Sequence, residues 1–272
     1  MRKILKLIPF LKKTFHLFKR FQIASSYFNY KYIQIFKWLL NSKEESNFTY
    51  NLDKTNIEYL AHTLAIITDC SFEKIIKYIE EPISNKELEK YILEKIKTSA
   101  NEYTDNRIQF GRRLGWYALV RILKPKIIIE TGVDKGLGSV LLCSALKKNE
   151  EEGSVGKYIG TDINESAGFL LDEEYKKFGK IIYGDSIESL KNINEEIDIF
   201  INDSDHSDSY EEREYETIIN KMSNNGIIIA DNAHVTDILS KFSVLHNRKF
   251  IFFKEIPEKH WYPGAGIGIS FK

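Results

Sequence analysis

The stretch Lys126–Ser139, which reads KIIIETGVDKGLGS, decides the fold of this chain. It opens with a β-branched run that ends at Glu130, continues through a turn with three glycines, and enters a helical stretch near Leu137. A strand, a glycine-rich turn and a helix in this order bring the backbone close to a nucleotide-like ligand. The stretch therefore predicts the first strand and the ligand loop of an α/β domain.

Short β-branched runs separated by helical stretches continue to the end of the chain. This alternation predicts an α/β fold: a Rossmann-like, seven-stranded, mostly parallel sheet with helices on both faces. About a dozen residues with no clear helix join the last two runs, so the last strand should pair antiparallel with its neighbour. Together with the first, the predicted strands are 126–130, 158–162, 181–183, 197–201, 227–230, 250–253 and 267–271.

A chain of 272 residues, 43% hydrophobic and 29% charged, can bury one sizeable core. We divide it into an N-terminal helical region, residues 1–100, and a second domain, residues 101–272, that contains the sheet. Cys70 and Cys143 lack any metal or redox spacing and lie in stretches predicted as helical. We expect both to be core residues of a protein in a reducing cytoplasm.

Helical spacing of apolar residues extends over 53–99, with a predicted break at Glu81-Pro82. A further helix is predicted from about Asn106. It should end at about Leu123, because Pro125 follows and the residue before a proline disfavours helical conformation. Nothing in residues 53–99 predicts chemistry.

The N-terminus is strongly basic: residues 1–43 contain ten Lys or Arg and no Asp or Glu, although the whole chain has a formal net charge of zero. Apolar and basic residues fall on opposite helix faces, and the helix is expected to begin at Pro9. This pattern favours an anionic partner, and we expect peripheral contact of residues 1–23 with the inner face of a membrane. The alternative is a helix packed on the body of the protein or on a second copy. No run is apolar enough to span a bilayer, and no nucleic-acid partner is expected.

The charge of the glycine-rich loop indicates its ligand. Glu130 and Asp134 disfavour a pyrophosphate, whereas S-adenosylmethionine (SAM) carries an ammonium and a sulfonium and no phosphate. Asp162, at the end of the second strand, is placed to accept from ribose hydroxyls, and Asp185, after the third, to meet the adenine. Each of these two is equally interpretable as a helix N-cap. The predicted SAM-binding set is Glu130, Gly132, Gly136, Gly138, Ser139, Asp162, Asp185 and Ser186.

Two motifs in combination resemble class I SAM-dependent methyltransferases, in particular a bacterial subgroup. They are Gly111–Gly115 (GRRLG), on the helix before the first strand, and Glu130–Val133 (ETGV). The resemblance covers roughly residues 107–272. It implies the Rossmann-like fold and SAM as cofactor.

Polar residues follow the fourth and fifth strands, whose carboxyl ends should open onto the same crevice. Asp203, Asp231 and Asn232 form an oxygen-rich set suited to Mg²⁺, as in the metal-dependent catechol-type O-methyltransferases that the chain resembles here. The position of the catalytic lysine in those relatives is occupied by His206, which can accept a proton at neutral pH. Tyr210 lies two residues later than in the bacterial subgroup.

These patterns predict a Mg²⁺-assisted SAM-dependent O-methyltransferase that acts on a hydroxyl of a sugar, a glycan or a small diol. The residues leave open a metal-independent N- or carboxyl-methyltransferase, in which Asp203 and Asp231 only orient the acceptor, and a non-catalytic membrane-associated subunit. A homo-oligomer is also open. A nicotinamide-dependent oxidoreductase is disfavoured by Glu130 and by the lack of a tight Gly-x-Gly-x-x-Gly run. The residues His260–Tyr262 have equally plausible packing and site interpretations, whereas His234 is expected to be a surface or capping residue rather than a ligand.

Overall fold

A computed structural model describes residues 9–44, 48–99, 104–105 and 107–272. The helices in these ranges are α1 Pro9–Asn41, α2 Lys54–Thr68, α3 Phe72–Ser84, α4 Lys86–Thr98, α5 Arg113–Leu123, α6 Leu137–Glu151, α7 Ser186–Asn192, α8 Asp208–Ile218 and α9 Ile238–Leu245. The strands are β1 Ile127–Thr131, β2 Lys157–Asp162, β3 Gly179–Tyr183, β4 Ile197–Asn202, β5 Met222–Ala230, β6 Lys249–Lys254 and β7 Gly266–Phe271.

The seven strands form one sheet in the order β3-β2-β1-β4-β5-β7-β6. Strands β1 to β5 pair in parallel, and β7 pairs antiparallel with both β5 and β6. The predicted Rossmann-like sheet with an antiparallel last strand is confirmed. Since β1 lies at the point where the strand order reverses, a crevice opens at its carboxyl end, as the glycine-rich loop requires.

Side chains of successive strand residues enter two separate cores, one on each face of the sheet. Ile128 of β1 packs in the core beneath α5 and α6, whereas its neighbour Ile129 packs in the core beneath α7, α8 and α9. Burial on both faces explains why these strands are continuous apolar runs. The two layers hold the carboxyl ends of β1 to β5 rigidly along one edge.

Helices α2 to α4 share the larger of these cores, to which they contribute Leu64, Ile79 and Ile92. The predicted boundary at residue 100 stays a prediction, but the core extends across it. Cys143 is buried in α6, while Cys70 is half-buried and lies between α2 and α3 rather than within a helix. No helix in the described part of the chain is both long and apolar enough to cross a membrane.

Two predicted helix boundaries are wrong. The chain does not break at Pro82, which α3 includes in its last turn. It breaks at Asn85, because the side chain of Asn85 accepts from the backbone N–H of Leu88 and caps α4. Helix α5 begins only at Arg113, since Gly111 has a φ of 52° and cannot continue a right-handed helix.

The late start of α5 positions the site. It leaves Arg112 and Arg113 at the first turn of the helix, and both side chains lie at the carboxyl edge of the sheet. Helix α1 begins at Pro9 as predicted and extends to Asn41.

Candidate active site

A cavity of about 720 Å³ opens at the carboxyl edge of the sheet, within the range of small-molecule sites. Its walls come from the loops after β1 to β5 and from three further segments: residues 48–50, the start of α5, and the connection between β6 and β7. Four members of the predicted SAM-binding set line it: Gly132, Asp162, Asp185 and Ser186. The other four, Glu130, Gly136, Gly138 and Ser139, are not among its lining residues.

Asp162 holds the β1 loop in place. Its Oδ2 accepts from the backbone N–H groups of Val133 (2.9 Å) and Asp134 (3.0 Å), and its Oδ1 accepts from that of Asn164 (2.8 Å). No α-helix begins directly after Asp162, so the N-cap interpretation is wrong for this residue. A carboxylate has about four acceptor positions, so Asp162 can still accept from ribose hydroxyls.

Gly132 is where the loop passes closest to its neighbour. Its φ is 81°, and an added Cβ would overlap the backbone carbonyl oxygen of Asp203. Only glycine satisfies both conditions. The loop after β1 and the loop after β4 are therefore packed backbone against backbone at the floor of the cavity.

Glu130 lies beneath the loop. It is 2% exposed and accepts from Tyr158 Oη and from Ser139 Oγ (3.3 Å), and Ser139 is also buried. Burial raises the pKa of Glu130 to about 7, against an ordinary value of 4.5. An added Cβ at Gly138 would lie 2.5 Å from Glu130 Oε1. In this arrangement Glu130, Gly138 and Ser139 support the loop from below.

Asp185 faces the cavity and also caps α7, because its Oδ1 accepts from the backbone N–H of Glu188 (3.0 Å). That hydrogen bond lowers the pKa of Asp185. The hydroxyl of Tyr210 donates to Asp185 Oδ2 (3.1 Å) and lies 2.9 Å from Ser186 Oγ. Tyr210 therefore belongs to the cavity wall despite its later position in the sequence.

Glu214 of α8 is a further buried carboxylate, and it was not among the residues predicted from the sequence. It accepts from Thr131 Oγ1 (3.0 Å), Ser204 Oγ (2.9 Å), Ser186 Oγ and Asn202 Nδ2. These donors come from the ends of β1 and β4 and from the start of α7. One side chain thus ties three loop starts together, and no short motif signals it.

His206 lines the acceptor side of the cavity, and its two ring nitrogens have different neighbours. Its Nε2 accepts from Asn232 Nδ2 (2.8 Å). Its Nδ1 is buried without a hydrogen bond, 3.8 Å from Glu211 Oε1, which is also buried and without one. With an Nδ1–H directed at Glu211, Nε2 carries the lone pair that accepts from Asn232, and a donor on the cavity side can take the place of that amide.

Asp203 and Asp231 are neighbours, but their surroundings differ. Both oxygens of Asp231 accept from Arg112, through Nε and Nη2, and Asp231 is fully buried. Burial favours a higher pKa for Asp231, but the Arg112 guanidinium outweighs it and lowers the pKa. Burial and the charge of Asp231 raise the pKa of Asp203 instead, although Arg113 Nη2 lies 3.9 Å from Asp203 Oδ2.

A family described as "Methyltransferase domain" matches residues 129–233, the stretch from β1 to the end of β5. Residues 129–233 therefore form a methyltransferase domain on the Rossmann-like sheet, in agreement with the resemblance to class I SAM-dependent methyltransferases. A search of curated proteins finds no sequence relative of the chain.

Solved structures share the fold of the methyltransferase domain at low identity. An O-methyltransferase from Bacillus cereus in complex with S-adenosylhomocysteine (SAH) is 16% identical, with a TM-score of 0.51 over 72% of this chain and 96% of that one. The O-methyltransferase TomG from Streptomyces achromogenes, in complex with SAM, is 14% identical, with a TM-score of 0.50 over 69% and 90%. The cofactor-bound protein Rv0187 from MTB is 9% identical, with a TM-score of 0.54 over 71% and 92%.

The metal ligands predicted for the methyltransferase domain do not fit a divalent ion in the observed arrangement. Asp203 and Asn232 line the cavity, but Asp231 does not, and both of its oxygens accept from a guanidinium. An ion bound by Asp231 would lie against the positive charge of Arg112. Among the described residues, no group of three His, Cys, Asp or Glu converges as metal ligands.

An aromatic wall closes the acceptor side of the methyltransferase domain. Phe48, Tyr50 and Tyr262 line the cavity, and the rings of Phe48 and Tyr262 are 5.5 Å apart. Trp261 packs outside this layer, 5.0 Å from Phe48 and 5.3 Å from Trp38 of α1. Residues 48–50 were not predicted as part of the site, because no local motif links them to the β6–β7 connection.

Of the remaining candidate residues, only Tyr262 lines the cavity. His260 stacks on Trp261 and is absent from the cavity lining, so it takes the packing role, and Tyr262 takes the site role. His234 is exposed and lies outside the lining.

Proposed function

We propose that this chain is an O-methyltransferase that transfers the SAM methyl group to a hydroxyl of a sugar, a glycan or a small diol. The observation that carries the proposal is His206, which is held between Glu211 and Asn232 on the wall shared with Gly132 and Asp162. A hydroxyl needs a base as its oxygen attacks, and a neutral imidazole supplies one near pH 7.

Each group has a role in the proposed reaction. Bound SAM supplies an activated methyl group on sulfur. The acceptor hydroxyl, in place of the Asn232 amide, hydrogen bonds to His206 Nε2, which takes the proton as the new C–O bond forms and the C–S bond breaks. The products are the methyl ether, SAH and a protonated His206. Glu211 stabilises the imidazolium, and the cavity walls align the two substrates.

The alternative of N- or carboxyl-methylation rests on the Arg112–Asp231 pair, which leaves Asp231 only an orienting role. His206 favours the hydroxyl, because a carboxylate acceptor needs no base. A panel of methyl glycosides with vicinal hydroxyls, catechol, amines and carboxylic acids, assayed with methyl-labelled SAM, tests the choice. We expect label transfer to a glycoside with vicinal hydroxyls and none to the analogue that lacks one of those hydroxyls. Transfer only to amines or carboxylic acids would contradict the proposal.

The non-catalytic alternative is tested by calorimetry with SAH. We expect one equivalent to bind with micromolar affinity, and no binding to a folded sample would refute the proposal. Asp162→Asn, which removes the carboxylate that faces the ribose position, should weaken SAH. Asp198→Asn is its matched control, because Asp198 accepts from backbone N–H groups of Lys126 and Ile127 away from the cavity.

We further propose that the enzyme works at an anionic membrane surface, as the basic N-terminus predicted. Helical spacing also places Ile4, Leu7, Ile8 and Leu11 on the apolar face of this helix, but they lie outside the part of the chain whose side chains are described. The apolar stripe nevertheless continues along α1 well past residue 23. Its members recur at helical spacing and are 48–69% exposed: Phe15, Phe18, Phe21, Phe28, Tyr32, Phe36 and Leu39.

The body of the protein covers a different side of α1. Gln34 is buried and Trp38 packs on Trp261, both near the carboxyl end of the helix. At 100° per residue, Lys13, Lys19 and Lys37 fall outside the apolar stripe, so the basic and the apolar side chains of α1 lie on different faces. Because residues 1–43 carry no acidic side chain, anionic lipid is the partner of complementary charge.

Vesicle flotation tests the membrane proposal. The chain should float with vesicles of 30:70 phosphatidylglycerol and phosphatidylcholine, and much less with phosphatidylcholine alone. Phe18→Ser/Phe21→Ser should abolish flotation. Ser25→Ala/Ser26→Ala on the same helix is the matched control. A stable dimer that the phenylalanine variant dissociates, with no flotation, would assign the stripe to a second copy instead.

A further inference from the structure

Arg112 lies where the resemblance to catechol-type enzymes places a metal ion. Its Nε and Nη2 donate to the two oxygens of Asp231, and its Nη1 lies 3.6 Å from Glu255 Oε1. Both carboxylates are fully buried, whereas Arg112 is 12% exposed and lines the cavity. The guanidinium is therefore the face that this cluster presents to the acceptor.

The cluster holds Arg112 from behind with a third buried group. Tyr50 Oη donates to Glu255 Oε2 (2.8 Å) and accepts from the backbone N–H of Ala265 (3.3 Å). Segments distant in sequence thus cooperate to fix one side chain. A charge that is buried and paired in this way keeps its position, since breaking the pair would leave Asp231 uncompensated.

The chemistry of a guanidinium suits the role that a divalent ion was expected to fill. It has five N–H donors in a rigid plane, and the hydrogen bonds to Asp231 use two of them. A planar fork of donors binds two neighbouring oxygens, as on a vicinal diol, and a fixed positive charge stabilises a developing oxyanion.

We propose that Arg112 is the resident cation of the acceptor site: it binds the acceptor oxygens, stabilises the oxyanion that forms as His206 takes the proton, and makes a divalent ion unnecessary. The inference rests on the proposed O-methyl transfer. The site still prefers an acceptor with vicinal oxygens, but Arg112 rather than a metal ion is the cause of that preference.

The test measures metal binding and cofactor binding separately on the full chain. Mn²⁺ is titrated by electron paramagnetic resonance into wild type saturated with SAH, and into Asp231→Asn. We expect no stoichiometric Mn²⁺ with a dissociation constant below about 1 mM. Binding that Asp231→Asn leaves unchanged lies elsewhere and also agrees with the proposal. One equivalent that Asp231→Asn abolishes would overturn it.

Variants of Arg112 test the positive half of the inference. Arg112→Gln should lower turnover at least 100-fold and keep SAH affinity within twofold, with Arg112→Lys in between. If Arg112→Gln does not fold, Arg112→Gln/Asp231→Asn removes both charges together. Turnover within threefold of wild type in a folded variant would overturn the proposal. Failure of wild type to bind SAH would instead refute the proposed function, so the two failures are distinguishable.

Discussion

The two halves of the cavity are built in different ways. The cofactor half depends mainly on how the backbone packs: the loop after β1 passes over Asp203 at Gly132, and its backbone N–H groups donate to Asp162. The acceptor half consists of side chains, among them His206 and the Arg112–Asp231 pair, from segments far apart in sequence. Because one fold hosts many functions, the chemistry of a particular chain is decided by the side chains of its site.

The largest effect should come from breaking the backbone half. Gly132→Ala forces a side chain into a φ of 81° and against the Asp203 carbonyl, which we expect to lower the free energy of unfolding by about 2–6 kcal/mol and to abolish SAH binding. Gly153→Ala is the matched control, because Gly153 has a φ of 86° but no atom within 4 Å of an added Cβ. It should cost only about 1–2 kcal/mol. Equal losses in the two variants would show that close packing of the loops contributes nothing.

A substitution in the side-chain half should lower turnover and leave SAH binding intact. His206→Gln removes the base but preserves the size of the side chain, so we expect kcat to fall roughly 10²–10⁴-fold. Affinity for SAH by calorimetry should stay within twofold, since the hydrogen bonds of His206 go to the acceptor side. His246→Gln, on a histidine outside the cavity lining, is the control. A parallel loss of SAH affinity would place His206 in the cofactor half.

The pH dependence of the free energy of unfolding should report on Glu130, which supports the loop of the cofactor half. The folded state holds the proton of Glu130 up to about pH 7, whereas the ordinary pKa is 4.5, so stability contributed by this group falls as the pH rises between these values. Wild type should therefore lose roughly 2–3 kcal/mol more than Glu130→Gln between pH 5 and pH 8. Urea unfolding at the two pH values measures the difference. The same pH dependence in both proteins would be inconsistent with a raised pKa.

The same contrast explains what could be predicted from the sequence. All seven strands and the loop after β1 are local patterns, so β-branched runs and spaced glycines were enough to find them. That Asp203, His206 and Asn232 line one cavity was also predictable, because strand ends converge at one edge of a parallel sheet, whereas their roles stay predictions. The pairing of Asp231 was not, since it depends on α5 starting at Arg113, and the left-handed Gly111 that delays the helix sits inside a helical apolar pattern.

The contribution of Tyr50 was equally invisible, because its partners Glu255 and Ala265 lie more than 200 residues away. Tyr50→Phe removes the hydroxyl that donates to buried Glu255, and an unpaired buried acceptor costs about 1–3 kcal/mol. We expect that loss in urea unfolding, with SAH affinity unchanged because Tyr50 lies on the acceptor side. Tyr59→Phe is the control, since Tyr59 is 56% exposed on α2. A loss confined to SAH binding would mean that residues 48–50 belong to the cofactor half of the cavity.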